Sequence, residues 1–210
     1  MNEKFYALPE EKQSQILNAA YKVFATNQYK KAPTSEIAAE AGISKSLLFH
    51  YFHNKLELYI FLWNYAADLT KKYMCKYKVY ETDDFFEMMR RGLMAKCAVM
   101  RKYTFLSLFS MNSYFETEPD IQSIIQQDVQ DAAQTTLEVL LSILNLDFIR
   151  NDIEFARIYK EILYASDGML KYWYRTGNYD VTAFEQEYLE MINHWEMVYG
   201  KGTENDRKQL

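Results

Sequence analysis

The sequence has little of what secreted and membrane proteins need. Its two cysteines, Cys75 and Cys97, are too few for a disulfide framework, so we expect a reduced, cytoplasmic protein. No apolar run reaches the roughly 18 residues that a membrane-spanning helix requires, so no membrane partner is expected. The first residues also lack the basic-then-apolar layout of a secretory signal.

Histidine is scarce as well, and this limits the chemistry. Of the three histidines, His50 and His53 are one helical turn apart, but no cysteine or carboxylate stands at a spacing that would complete a metal site. The sequence shows neither a glycine-rich phosphate loop nor a Ser–His–Asp or Cys–His arrangement. We therefore predict no catalytic residues, no metal, no cofactor and no enzymatic activity.

Proline and glycine are rare, at three and six residues, and helix-favouring residues are common. Because 49% of the chain is hydrophobic and no strand-like alternation occurs, the sequence predicts an all-α protein of about nine helices. Asn54 with Glu57, and Thr182 with Glu185, have the spacing of capping boxes. The predicted helices begin near Pro9, Thr34, Lys45, Asn54, Thr82, Tyr103, Pro119, Asn151 or Asp152, and Thr182.

Charge is distributed unevenly along the chain. Residues 1–60 carry seven basic and six acidic side chains, whereas residues 61–210 carry seventeen basic and twenty-three acidic ones. The net charge of −5 therefore belongs to the second part of the chain. The first part is free to approach the phosphates of a nucleic acid.

The segment from Thr34 to Tyr51 matches the pattern of a helix-turn-helix. Counting Thr34 as the first position, Gly42 is ninth, at the turn, where a positive φ is easiest for glycine. Ala38 is fifth, where a small side chain lets the two helices cross closely. Apolar side chains occupy the positions that pack the helices together, namely Ile37, Ala41, Ile43, Leu48 and Tyr51.

This motif, within residues 10–58, resembles the TetR family of bacterial transcriptional repressors. The resemblance rests on the three-helix N-terminal unit and on the segment "AGISKSLLFHYFHNK"; beyond residue 58 it rests on helix count and layout. It implies a helix-turn-helix DNA-binding domain at 1–55 and a larger helical ligand-binding and dimerisation domain at 56–200. The tail at 201–210 has no apolar anchor and is expected to be disordered.

The resemblance also implies how double-stranded DNA is bound. The second short helix should enter the major groove, where four side chains face the bases: Lys45, Ser46, Leu47 and Phe49. Lysine can donate to guanine, and Leu47 or Phe49 can contact a thymine methyl group. Phosphate contacts are expected from Thr34, Ser35, His50, Tyr51 and Lys55.

The second half of the chain is expected to bind an effector and a second copy of the chain. Its surplus of tyrosine, phenylalanine and methionine favours an adaptable pocket for a mainly apolar small molecule. The predicted lining is Trp63, Phe105, Phe109 and Tyr159. The last two helices are expected to form a homodimer through Ser166, Met169, Leu170, Trp173, Leu189, Ile192 and Trp195.

Three functions fit these patterns. The first is a ligand-responsive dimeric repressor that binds a palindromic operator. The second is a transcriptional activator, which would make the same DNA contacts. The third is a helical protein–protein interaction module without specific DNA binding. Salt-dependent binding to a palindromic duplex separates the third from the first two.

Overall fold

The computed structural model describes residues 3–150, 154–177 and 179–201, and for residues 129–137 the backbone alone. The described chain is all-α, as predicted. Single turns of 3-10 helix lie at Tyr29–Lys31 and Leu146–Phe148. The α-helices in the described residues are α1 (Glu3–Tyr6), α2 (Glu10–Thr26), α3 (Thr34–Glu40), α4 (Lys45–Phe52), α5 (Lys55–Lys76), α6 (Phe85–Lys102), α7 (Leu106–Ser113), α8 (Pro119–Ile143), α9 (Phe155–Thr176) and α10 (Val181–Tyr199).

Most predicted helices are confirmed, and three predicted starts are wrong. Helix α7 begins at Leu106, three residues after the predicted Tyr103. Helix α6 begins three residues after Thr82, because Asp84 caps it by accepting two backbone N–H groups at 2.8 and 3.1 Å. Helix α10 is capped by Asp180 and not by Thr182, again through two backbone N–H groups. Aspartate is a better helix cap than threonine, so the residue types favour the two caps that the structure shows.

The N-terminus carries a four-residue helix, α1, that the sequence pattern did not predict. The predicted cap at Asn151 or Asp152 and the predicted disorder of the tail after Lys201 lie outside the described residues. No helix in the described part of the chain combines the length and apolar character needed to span a membrane.

The chain packs into two compact units, Met1–Lys72 with Ala98–Thr135 and Tyr73–Cys97 with Thr136–Leu210. Helices α5, α6 and α8 each contribute residues to both. The predicted boundary between residues 55 and 56 divides the chain by function. It does not coincide with the division into packing units, so it stays a prediction.

The core of the first unit is a cluster of aromatic rings between α2, α5 and α7. Tyr59 of α5 lies 5.0 Å from Phe24 of α2 and 4.9 Å from Phe109 of α7, measured between ring centroids. Tyr21 of α2 meets Phe109 edge-on at 5.3 Å. All four rings are at most 3% exposed. This cluster fixes α2, against which the helix-turn-helix packs.

The buried tyrosine hydroxyls in this unit have hydrogen-bond partners, which is what burial requires. Tyr21 donates to a backbone carbonyl of α5 at 2.9 Å. The hydroxyls of Tyr59 and Ser113 lie 2.8 Å apart, and those of Tyr65 and Tyr103 lie 3.1 Å apart. These phenols are therefore part of a satisfied core.

The second unit has an aromatic core of its own. Phe85, at the start of α6, meets Phe155 of α9 edge-on at 5.1 Å. Further along α9, Trp173 packs on Phe184 of α10 at 5.2 Å. Helices α9 and α10 are therefore joined along their buried faces, and their opposite faces are exposed.

Candidate nucleic-acid interface

Helices α3 and α4 form a helix-turn-helix whose turn depends on Gly42. Its φ is +60°, as predicted, in a region that disfavours residues with a Cβ. The backbone N–H of Ile43 donates to the carbonyl of Ala38 at 2.9 Å and closes the turn. From α2, the Lys12 ammonium donates to the carbonyl of Ala41 at 3.1 Å. The turn is thus held by both helices and by α2.

Helix α4 begins where Ser44 caps it, accepting from the backbone N–H of Leu47 at 3.1 Å. The two serine hydroxyls, of Ser44 and Ser46, lie 2.9 Å apart, so Ser46 is tied to the cap. Leu48 and Phe52 are fully buried and seat the helix on the core. Because these anchors lie on one side, the opposite side of α4 faces solvent.

The exposed side of α4 carries the residues predicted to read bases. Lys45, Ser46 and Leu47 are exposed, and 37% of Leu47 remains accessible. Phe49 is half-buried, and the Lys45 ammonium lies 5.8 Å from the centre of its ring. These four side chains share the surface that the first turns of α4 present.

The residues predicted to contact phosphate differ in exposure. Ser35 and His50 are exposed, whereas Thr34 is only 9% accessible and presents little surface. Tyr51 is half-buried, and its ring meets the buried ring of Phe5 from α1 at 6.4 Å. Helix α1 therefore packs against the C-terminal end of α4.

Lys55 is the first residue of α5, and Asn54 caps that helix, as predicted. The backbone N–H of Glu57 donates to the Asn54 side chain at 2.9 Å, and the Asn54 amide donates back to the Glu57 carboxylate at 2.8 Å. Lys55 itself is half-buried, with its ammonium 4.7 Å above the ring of Tyr29. It also donates to the carbonyl of Lys30 at 3.3 Å. Burial lowers the pKa of Lys55.

The turn at Tyr29–Lys31, which supplies these partners of Lys55, was not predicted from the sequence. Lys30 and Lys31 are exposed and precede α3 by a few residues. The adjacent lysines in "QYKKAP" were the available signal, but nothing in the sequence linked them to Lys55, which lies 25 residues later in the chain.

The predicted effector residues fall in different places. Trp63 is buried, donates its indole N–H to Asp128 at 2.8 Å, and belongs to the first unit. Phe109 is fully buried in the aromatic core, and Phe105, just before α7, is half-buried. Tyr159 is half-buried in the second unit, stacked against Phe155 at 6.3 Å.

The predicted dimer residues are mostly buried within the single chain. Only Leu189 is exposed and Met169 half-buried. The other five are at most 9% accessible, namely Ser166, Leu170, Trp173, Ile192 and Trp195. Large apolar side chains do stand exposed on the same two helices, namely Leu163, Tyr164, Tyr172, Leu189 and Met197.

The N-terminal segment resembles known regulators in sequence. Residues 16–60 match the family model described as bacterial regulatory proteins, tetR family. A 51-residue segment is 45% identical to the HTH-type transcriptional activator FasR of Mycolicibacterium smegmatis. That match covers 24% of this chain and 23% of FasR, so it spans less than a quarter of either protein.

The whole chain resembles solved regulators in fold. The ketosteroid transcriptional regulator KstR2 of Mycobacterium tuberculosis superimposes with a TM-score of 0.67 at 16% identity, over 93% of this chain and 97% of that one. The fatty acid degradation regulator FadR of Bacillus halodurans gives 0.60 at 18% identity, over 88% and 96%. The predicted resemblance and fold class are thereby confirmed. Residues 16–60 therefore match the N-terminal domain of tetR family regulators, and the chain has the fold of solved TetR-family regulators, such as one from Chloroflexus aurantiacus with a TM-score of 0.60 at 17% identity, over 95% of this chain and 98% of that one.

Proposed function

We propose that this protein is a transcription regulator that binds double-stranded DNA as a homodimer and is released by a small, mainly apolar molecule. The observation that carries the proposal is the exposed stretch Lys45–Leu47 at the start of α4, held in a helix-turn-helix by the buried Leu48 and Phe52. A helix of this kind fits the major groove, with its first residues at the base edges.

Lys45 is the residue on which base reading depends most. It is the cationic side chain that begins α4, and a lysine can donate to both acceptors of guanine. Leu47 offers an exposed apolar surface that suits a thymine methyl group. Ser46, which is tied to the cap of the helix, contributes mainly to the position of the first turn.

Selection of bound duplexes from a random pool tests this proposal. We expect a palindromic site whose half-sites are centred roughly 34–36 Å apart, or a multiple of that distance. Lys45→Ala should cost about 1–3 kcal/mol of binding free energy and relax the preference at one base pair. Lys55→Ala should weaken binding to all sequences alike and reduce the salt slope by about one.

A matched control is Lys76→Ala. Lys76 is exposed on a helix and lies 5.6 Å from a tyrosine ring, much as Lys45 lies near Phe49, but it belongs to the far end of α5. The Lys76→Ala variant should bind the selected duplex with the affinity of the parent. If Lys45→Ala also did so, the proposed docking would be rejected. Absence of salt-dependent duplex binding would favour a protein–protein interaction module instead.

Support for the dimer comes from α9 and α10. Leu163, Tyr164, Tyr172 and Met197 are 44–61% exposed, an unusual density of large apolar side chains for two neighbouring helices. Sedimentation should show a species of twice 25.0 kDa at micromolar concentration, and Tyr172→Glu should shift it towards the monomer.

The effector part of the proposal rests on the aromatic and methionine content of residues 59–176. Trp63→Phe and Tyr159→Phe, measured separately, should change effector affinity without changing DNA affinity in its absence. By linkage, the effector must bind more weakly to the DNA complex than to the free protein, by the same factor that it weakens DNA binding. An effector that bound both forms equally would not be a regulator.

Repression is proposed from the family resemblance, and activation shares the DNA contacts. FasR, which resembles residues of the DNA-binding segment, is by name an activator. A reporter with the selected site placed either over or upstream of a promoter distinguishes the two. Repression should require overlap with the promoter, whereas activation should require the upstream site.

A further inference from the structure

An acidic loop, Glu116–Asp120, which includes the first two residues of α8, follows α7 and contacts the turn that precedes the helix-turn-helix. The Glu118 carboxylate lies 2.6 Å from the Lys30 ammonium. The Glu116 carboxylate accepts from the backbone N–H of Tyr29 at 3.0 Å. From the end of α7, the Asn112 amide donates to the carbonyl of Ala25 at 2.8 Å and holds the two segments together.

The same turn also contacts Lys55. The Lys55 ammonium sits over the ring of Tyr29 and donates to the carbonyl of Lys30. The turn therefore contacts both the proposed phosphate ligand Lys55 and two carboxylates. Both Glu116 and Glu118 are close enough to act on the charge of Lys55.

The ion pair with Glu118 changes what Lys30 can offer to DNA. The hydrogen bond and the charge of Glu118 raise the pKa of Lys30, so the ammonium is favoured, but it already has an anionic partner. Three quarters of the Lys30 side chain is exposed, so a phosphate can still reach it. A DNA phosphate and the Glu118 carboxylate are acceptors of the same kind, and they compete for one cation.

We propose that Lys30 is a DNA phosphate ligand and that the Glu116–Asp120 loop is an autoinhibitory contact that occupies it in the free protein. The inference rests on the proposed DNA-binding function. Since the loop begins α8, any displacement of that helix that withdraws Glu118 raises DNA affinity, and any that presses Glu118 on Lys30 lowers it. The loop thus connects α8 to the phosphate contact of Lys30.

A double-mutant cycle with a mixed-sequence 30-base-pair duplex at several salt concentrations tests this. Glu118→Gln should bind about two- to fivefold more tightly than the parent and steepen the salt slope by up to about 0.9, the share of one freed cation. Lys30→Gln should bind more weakly. The decisive variant carries both changes and should bind like Lys30→Gln, because the carboxylate has then lost its target.

The control is Glu154→Gln, which removes the same charge from an exposed glutamate that makes no capping hydrogen bond at the start of α9. It should bind like the parent. If Glu118→Gln improved binding equally with and without Lys30, the loop would act by general repulsion and the proposed contact would be wrong. Equal binding by Glu118→Gln and the parent would also overturn it. If the parent bound no duplex at all, the proposed function itself would fail.

Discussion

Two glycines should respond in opposite ways to the same substitution. Gly42 has a φ of +60°, and a Cβ at this position would come no closer than 3.7 Å to its neighbours, both of them side-chain ends. The space is therefore adequate, and only the backbone conformation opposes alanine. Gly92 lies inside α6, where a Cβ would meet nothing within 4 Å and the φ is not positive. There alanine meets no obstacle at all.

The expected magnitudes follow from these conformations. A Cβ in the left-handed region costs about 1–2 kcal/mol. Alanine recovers about 0.4–1 kcal/mol through the unfolded chain, so Gly42→Ala should lose on the order of 1 kcal/mol. Gly92→Ala should gain about 1 kcal/mol from helix propensity. For a chain of this length, 1 kcal/mol moves the thermal midpoint by about 2–4 °C.

Thermal unfolding followed by far-UV circular dichroism measures both changes. Gly42→Asn is the control for the turn, because asparagine tolerates the left-handed region and should lose less than alanine. Duplex binding should fall for Gly42→Ala and stay unchanged for Gly92→Ala. Shifts of the same sign at the two positions would refute the conformational reasoning.

Substitutions at three other positions test the electrostatics and the backbone. Burial raises the pKa of Tyr59 from 10.0 to about 12, so ionisation of this residue in the unfolded chain should cost the parent about 3 kcal/mol of stability between pH 10 and 12. Tyr59→Phe should start about 1 kcal/mol lower at pH 7 and then lose about 3 kcal/mol less than the parent over that pH range. Burial lowers the pKa of Lys96, against the attraction of Asp167, so Lys96→Met should raise the thermal midpoint at pH 7. The difference in thermal midpoint between Lys96→Met and the parent should shrink as the pH rises towards 10.5, because there the unfolded parent also loses the Lys96 proton. A difference that grew with pH would contradict the burial of Lys96. His53 has a φ of 57° between α4 and α5, so His53→Gly should raise the midpoint by about 2–4 °C while His53→Ala does not.

Features that depend on neighbouring residues could be predicted from the sequence. The bounds of α4, the positive φ of Gly42 and the capping box of Asn54 with Glu57 all follow from interactions within a few positions. Each has one good local solution, so the pattern and the structure agree. The start of α6 was missed because the prediction took the first possible cap, Thr82, although aspartate is the better cap and Asp84 follows two residues later.

Features that depend on distant packing could not be predicted in the same way. The sequence predicted a homodimer through the last two helices, but it could not say which of their apolar residues the chain buries itself. The structure buries Leu170, Trp173 and Ile192 and exposes Tyr164 and Tyr172. A hydrophobic pattern identifies residues that need a partner, and only the fold decides whether that partner is in the same chain.

Lys55 shows how this distinction bears on function. Its position after Asn54 predicts a cation at a helix N-terminus, where an anion is favoured. The fold adds partners from far along the chain, a tyrosine ring and a backbone carbonyl on one turn, which carboxylates also contact. A phosphate that approaches Lys55 must therefore join or replace interactions that already exist. Under the proposed function, DNA affinity is set by the difference between the phosphate contacts and those internal ones, and that difference is what an effector can change.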